Sequence, residues 1–372
     1  MAGLQLDPAR FLARYWQREP LLLRAAVKDF RPPISADELA GLAMEADAES
    51  RIVEYRASGW HLQQGPFRTA DFDRSQPWTL LVQGVDRWLP EVAELARLVD
   101  FLPTWRLDDI MVSYASKGGG VGPHYDLYDV FLLQGEGERH WRLGQRCDAS
   151  TPLLPHRQLK LLADFQCEAE YTLRCGDILY LPPGVAHWGV SAGDSTCFSI
   201  GLRAPRITEL LSRWVDARLE QASPDHLLED PGRRPAAAAG EIRREDIDSA
   251  LSQLRRVLDT ADDEAWFGEL VTESAIPDAL GNENEGLAAA LAQLRDSAGV
   301  AVLAVGARVA WQRLDDDIRV FVNGNSRRFP ATFSGALSEL CGHGQLAGAA
   351  LAGAGGDQLL RYLLEHGGID VG

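Results

Sequence analysis

The chain has little of what would staple it covalently or hold it in a bilayer. Its five cysteines, Cys147, Cys167, Cys175, Cys197 and Cys341, are odd in number, widely spaced and without a CxxC pair. That spacing argues against a disulfide framework and a zinc ribbon, and the five read as reduced thiols. No stretch approaches the roughly 18 uncharged apolar residues of a membrane-spanning helix, and the opening MAGLQLDPARF has no apolar signal-peptide core. The expectation is a cytoplasmic protein with no membrane partner. Basic residues are scarce too: 37 Lys and Arg face 54 Asp and Glu, a formal charge of −17. Without a basic stripe, direct nucleic-acid binding is not expected, whereas a basic protein partner is compatible. Solubility alone would also account for such a charge.

At 372 residues with 46% hydrophobic content and ten Trp, the chain exceeds one ordinary domain and can bury a large core. PARFLARYWQREPLLLR predicts a helix ending before Pro20 and then a short strand. Residues 36 to 50 and 89 to 100 also read as helices, RIVEYR (51 to 56) and WTLLVQGV (78 to 85) as strands. From Ile110 to Leu202 short strands separated by Gly and Pro predict a small antiparallel barrel or sandwich. After Pro205 come the helix ITELLSRWVDARLEQ, a linker at 230 to 241 and a largely helical stretch at 242 to 296. VAWQRLDDDIRVFVNGNSRRF then predicts strands turning at DDD and NGN, followed by short helices in ALSELCGHGQLAG and DQLLRYLLEHGG. The division is 1–205, 206–299 and 300–372, the last resembling a winged helix.

His124 and Asp126 stand two apart in a segment that reads as a strand, so both side chains are expected on one face. By itself such a pair is weak evidence. His187 follows 63 residues later, just past the PPG turn of GDILYLPPGVAHWGVS. A barrel can bring that turn back beside the first pair. Two imidazoles and a carboxylate on one face of a metal leave open positions, the pattern of non-haem iron(II) oxygenases. A zinc hydrolase accepts the same ligands. Arg139, 15 residues after His124, favours the first reading: 2-oxoglutarate chelating iron leaves its 5-carboxylate in need of a cation, and a guanidinium fork supplies one. The alternative for Arg139 is a solvated strand residue. His61, His140, His156, His226, His343 and His366 have no partner at ligand spacing and receive no role. KGGGVGP joins strands rather than opening a helix, and so reads as a turn at the barrel mouth and not as a phosphate loop.

YWQREPLLLR, LVQGV, DDIMVSY, GGGVGPHYDLYDVFLLQGEGERHWRLG, GDILYLPPGVAHWG and FSIGLRAP together resemble the bacterial JmjC ribosomal oxygenases, above all those that hydroxylate an arginine of a large-subunit ribosomal protein. The resemblance runs from about Phe11 to Pro205 and more weakly beyond. It implies a mainly β fold: a double-stranded β-helix (JmjC/cupin barrel), then a helical dimerisation region, then a winged helix. It further implies Fe(II) on His124, Asp126 and His187, with 2-oxoglutarate on Arg139 and the hydroxyl of Ser113. O2 is the second co-substrate, a basic ribosomal protein the substrate, and a homodimer the assembly. Asp108 and Asp109 near the barrel mouth would help attract that substrate. Two rivals stand against it. A metal-binding cupin regulator would use its winged helix on DNA, yet from Val300 onward six Arg and no Lys face seven acids, too neutral for a DNA reader. A metal-dependent isomerase or hydrolase leaves Arg139 unexplained.

Overall fold

The computed structural model describes residues 4, 6–223, 225–235, 238–258, 264–273, 284–295, 299–351 and 355–372. Parts of the expected linker (236, 237) and of the expected helical stretch (259–263, 274–283, 296) lie outside the described residues. The chain divides into two compact units, Met1–Ala204 and Pro205–Gly372.

The first unit opens with α1 (Pro8–Arg14), started by the Asp7 side chain accepting from the Arg10 amide and by Pro at the first turn. Strand β1 (Leu21–Leu23) follows, as read from Pro20 onward. Next is α2 (Ala36–Leu42), which a Ser35–Glu38 capping box begins. It stops well short of the expected 50. The Ala43 carbonyl, which would carry the helix onward, accepts instead from the Phe67 amide and the Ser50 hydroxyl. Strands β2 (Ser50–Arg56), β3 (Gly59–Gln64) and β4 (Trp78–Val82) come next. The expected helix at 89–100 is α3 (Pro90–Ala93) continued by 3-10 turns to Val99.

The barrel strands are β5 (Leu107–Ala115), β6 (Asp129–Gln134), β7 (Glu138–Arg146), β8 (Cys167–Arg174), β9 (Ile178–Leu181), β10 (Val185–Ser191) and β11 (Ser195–Leu202). They form two antiparallel sheets, β1-β9-β6-β11-β5-β4-β2-β3 and β10-β7-β8. The middle strands of the larger sheet are buried on both faces, which explains unbroken apolar runs such as DVFLLQ. Phe131 and Leu133 pack outward with Phe11, Leu39 and Val82. Val130 and Leu132 pack inward with Trp141, Leu143 and Leu173 of the smaller sheet. The inward face of the larger sheet and the smaller sheet enclose the site.

The second unit contains α4 (Ile207–Gln221), α5 (Arg244–Leu258), α6 (Ala265–Thr272) and α7 (Asn284–Arg295). After β12 (Val300–Leu303), β13 (Val309–Arg313), β14 (Asp317–Val322) and β15 (Asn325–Pro330) form a meander. Its Asn323–Gly324 turn has both residues at positive φ, 47° and 86°, the two-residue hairpin geometry that Asn-Gly favours. Then come α8 (Ser334–His343), β16 (Gln345–Ala347), α9 (Gly356–Glu365) and β17 (Ile369–Val371). The sheet β16-β12-β17 was not expected. Its strands have three or four residues, too few for a period-two pattern to register.

Candidate metal and co-substrate site

The three metal-ligand candidates meet. The nearest ligand atoms of His124, Asp126 and His187 lie within 4.8 Å of one another, and His187 Nε2 stands 3.6 Å from Asp126 Oδ2. Strand alternation does not achieve this, contrary to the expectation from spacing: residues 121 to 128 lie outside the regular strands. His124 and His187 instead exchange both backbone bonds, His124 N to His187 O (3.0 Å) and His187 N to His124 O (2.8 Å), an isolated antiparallel bridge. The Gly184 amide of the PPG turn donates to the Asp126 carbonyl at 2.8 Å. These three bonds weld the His-x-Asp loop to the start of β10.

The imidazoles are set for ligation. His124 Nδ1–H donates to Gly122 O (3.0 Å) and His187 Nδ1–H to Val185 O (2.9 Å), leaving each Nε2 with its lone pair toward the cluster. Burial, then the neighbouring His124, pulls the His187 pKa down to about 4, so this ring is a neutral ligand at physiological pH. Gly122 holds the loop at φ +87°. A Cβ there would lie 2.8 Å from the Trp60 ring and 2.9 Å from Leu161 Cδ2. The position therefore demands glycine.

Arg139, second residue of β7, is buried rather than solvated. Its Nη1 donates to Ser113 Oγ (3.0 Å), its Nε to Ser195 Oγ (3.3 Å), and its Nη2 to Ser195 Oγ (3.1 Å) and Ser195 O (3.4 Å). Among the described residues no carboxylate lies within ion-pairing distance of it. A guanidinium has five N–H donors, and burial lowers its pKa from the ordinary value. Ser113 on β5 donates onward to Cys197 O (3.4 Å). Sequence reasoning missed Ser195, which leads β11 after a turn and has no motif around it. It also missed Trp141, although Trp141 stands two residues from Arg139 and so shares its face of β7.

One cavity of about 380 Å³ joins these groups. His124, Asp126, His187, Arg139, Ser113, Thr79, Met111, Trp141, Arg51 and residues 158 to 161 are among its walls. Thr79 Oγ1 and Trp141 Nε1 are buried without a hydrogen-bond partner, an uncommon state that a bound polar ligand or water would relieve. With an acid-free guanidinium alongside a His-Asp-His set, these residues fit a divalent metal and a dicarboxylate. The loop over the site is pinned by Leu162 N to Pro123 O (2.9 Å) and Leu154 N to Leu161 O (2.8 Å). Asp109 does not form an acidic lip, contrary to expectation. It is 6% exposed, accepts from Gln83 Nε2 (2.7 Å) and Gly84 N (2.8 Å), and burial raises its pKa.

The JmjC domain family matches residues 94–210 and the ROXA-like winged helix family residues 258–367. Over 272 residues, 73% of each chain, the sequence is 38% identical to the ribosomal protein uL16 3-hydroxylase of Escherichia coli (strain K12). It superposes on the X-ray structure of E. coli YcfD with a TM-score of 0.83 at 32% identity, covering 100% of this chain and 99% of the other. On E. coli YcfD in complex with cobalt and 2-oxoglutarate the TM-score is 0.82 at 32% identity, over 99% of both chains. Sequence and superposition agree that the chain belongs to the JmjC-domain ribosomal oxygenases, 2-oxoglutarate-dependent enzymes that act at a metal.

Proposed function

We propose that this chain 3-hydroxylates an arginine of the large-subunit ribosomal protein uL16, holding Fe(II) on His124, Asp126 and His187 and the 5-carboxylate of 2-oxoglutarate on Arg139 and Ser113. The observation that carries the site assignment is the buried Arg139 guanidinium, without an acid, opening on the same cavity as the metal cluster. The substrate assignment rests on likeness to the E. coli uL16 3-hydroxylase.

Each residue has a task in this reading. Ser195 braces one edge of the guanidinium and Ser113 the other, so Arg139 presents its remaining Nη1 proton without reorganising. Ser113 turns its hydroxyl from Cys197 O to the incoming carboxylate. The fixed Nδ1–H bonds hold both imidazoles in the ligating tautomer. Bound there, Fe(II) with 2-oxoglutarate supplies the O2 activation that puts one oxygen atom on a C–H bond while the co-substrate becomes succinate and CO2. Leu132, Trp141, Leu159 and Leu161 exclude water around it.

The domain limits proposed are 1–205 for the oxygenase barrel, 206–299 for dimerisation and 300–372 for the winged helix. Exposed Ile207, Leu211 and Leu219 on α4, and Ile247, Leu251 and Leu254 on α5, support a homodimer through the helical region, because apolar side chains in such number favour a covered surface. No described helix is long and apolar enough to cross a membrane. Cytoplasm, where ribosomal proteins are made, is the proposed location.

The test is incubation of the purified chain with a uL16 peptide, Fe(II), O2 and 2-oxoglutarate. Expected are succinate and a peptide heavier by one oxygen atom on its arginine, both lost when any one component is left out. Succinate formed without Fe(II), or a peptide unchanged in mass, would overturn the proposal.

A further inference from the structure

The substrate side of the cavity has a charge pattern that the metal and co-substrate do not explain. Asp126 is the only carboxylate among the described residues in its wall, and the proposed metal occupies it. Besides Arg139, two cations share that wall, Arg51 on β2 and Lys160 in the covering loop. Neither has a close acidic partner among the described residues. Arg51 Nη1 reaches Gln83 Oε1 only at 3.5 Å and the well-exposed Glu49 at 4.0 Å, while Nη2 rests 3.7 Å from Met111 Sδ. Gln83 cannot turn to serve it better, because its Nε2 is committed to Asp109 at 2.7 Å. Lys160 is exposed, with no ion pair among the described residues.

Position separates these cations from the co-substrate end. Ser113, bonded to Arg139, is buried on β5. Met111, two residues along the same face and half-buried, is where the Arg51 head lies. Arg51 thus sits toward the more open side of the cavity. In a chain of net charge −17, two cations at one mouth, with Glu49 reaching Arg51 only at 4.0 Å, are placed against the general trend. Two cations so placed present hydrogen-bond donors to acceptor oxygens.

We propose that Arg51 and Lys160 form a substrate clamp that binds acceptor oxygens of the peptide segment around the hydroxylated residue, holding its chain while the target side chain enters toward the metal. The shared chemistry is a carbonyl or carboxylate oxygen, offered by the peptide main chain or by an acidic side chain near the target. Arg51 supplies a planar fork that can take two such oxygens, and Lys160 a mobile point charge from the loop. The clamp rests on the proposed function above, since it presumes a peptide substrate.

The test is a binding titration of the uL16 peptide against the full-length chain loaded with Mn(II) and 2-oxoglutarate, together with the hydroxylation assay. Arg51→Met is expected to weaken peptide binding about tenfold, Arg51→Lys to restore part of the loss, and Lys160→Ala to weaken it about threefold. The affinity for 2-oxoglutarate, titrated separately, should stay within twofold. A peptide with its acids changed to amides tests one oxygen source, and one with a main-chain ester near the target the other; weakened binding of either one supports the clamp. Unchanged peptide affinity in Arg51→Met and Lys160→Ala overturns it, as does a parallel loss of 2-oxoglutarate affinity, which would make Arg51 a support of the cavity instead. A wild type that binds the peptide through these cations but leaves it unoxidised overturns the proposed function and leaves the clamp standing. A wild type that does not bind the peptide overturns both.

Discussion

Arg74 and Arg139 are two largely buried guanidinium groups in the same unit, one outside the barrel wall and one within it, and they meet opposite surroundings. Arg74 donates to Glu54 Oε2 (3.0 Å), Gln63 Oε1 (2.6 Å) and Asp71 O (2.6 Å), and Glu54 also takes Arg56 at 2.7 Å. Those arginines, Arg56 foremost, hold the Glu54 pKa below the ordinary carboxylate value despite its burial. Arg139 meets only hydroxyls and a carbonyl. Asp86 shows a third outcome: half-buried, with the Ile110 amide at 2.8 Å, it has its pKa raised to about 6, chiefly by desolvation. A charge taken from water can be paired, made easier to protonate or kept for a ligand. A guanidinium does not give up its proton in any ordinary range, so Arg139 is left with the third course.

The strongest way to break this contrast is Arg139→Met. Loss of charge-assisted bonds worth about 1.5–3 kcal/mol each should weaken 2-oxoglutarate binding a hundredfold or more. The melting temperature without co-substrate should hold or rise, because an uncompensated buried charge is removed. Calorimetric titration showing unaltered affinity would make Arg139 a structural arginine like Arg74. Arg74→Met should do the reverse, lowering unfolding free energy by about 2 kcal/mol in urea, since Glu54 keeps only Arg56, while 2-oxoglutarate affinity holds. A change below about 0.5 kcal/mol would show the pair to be as weak as a surface one.

The smallest expected effect concerns Asp86. Its folded pKa near 6 exceeds the ordinary 3.8, so the native state binds the proton more tightly than the unfolded chain. Stability from this group is complete below about pH 4 and is lost as pH rises to about 6. Asp86→Asn retains an acceptor for Ile110 and removes the charge. It should therefore gain about 1–2 kcal/mol over wild type at pH 7 and nothing at pH 4. Equal gains at both pH values would assign the effect to packing.

Much of the site is legible in the order of residues alone. His-x-Asp, the PPG turn with His187, and Arg139 at its fixed offset are local patterns of residues whose chemistry restricts their use. The strands are legible where apolar runs meet Gly and Pro, and the Asn323–Gly324 turn because few residues accept its φ values. Two features escape such reading: the end of α2 at Leu42, imposed by a hydrogen bond from a residue 24 positions beyond Ala43, and the short sheet around β12. The strand alternation expected to put His124 and Asp126 on one face is absent too. Their loop is placed by β10, not by its own periodicity.

The sequence by itself determined which chemistries were available, because metal ligation, carboxylate binding and turn geometry depend on the identities of single residues and their near neighbours. Only the tertiary structure decided that Arg139 is buried without an acid, that Asp109 is tied to Gln83 and Gly84 instead of facing solvent, and that Arg51 and Lys160 share a wall with the metal cluster. Burial and pairing are set by residues far apart in the chain meeting across two sheets, and no local pattern carries that information.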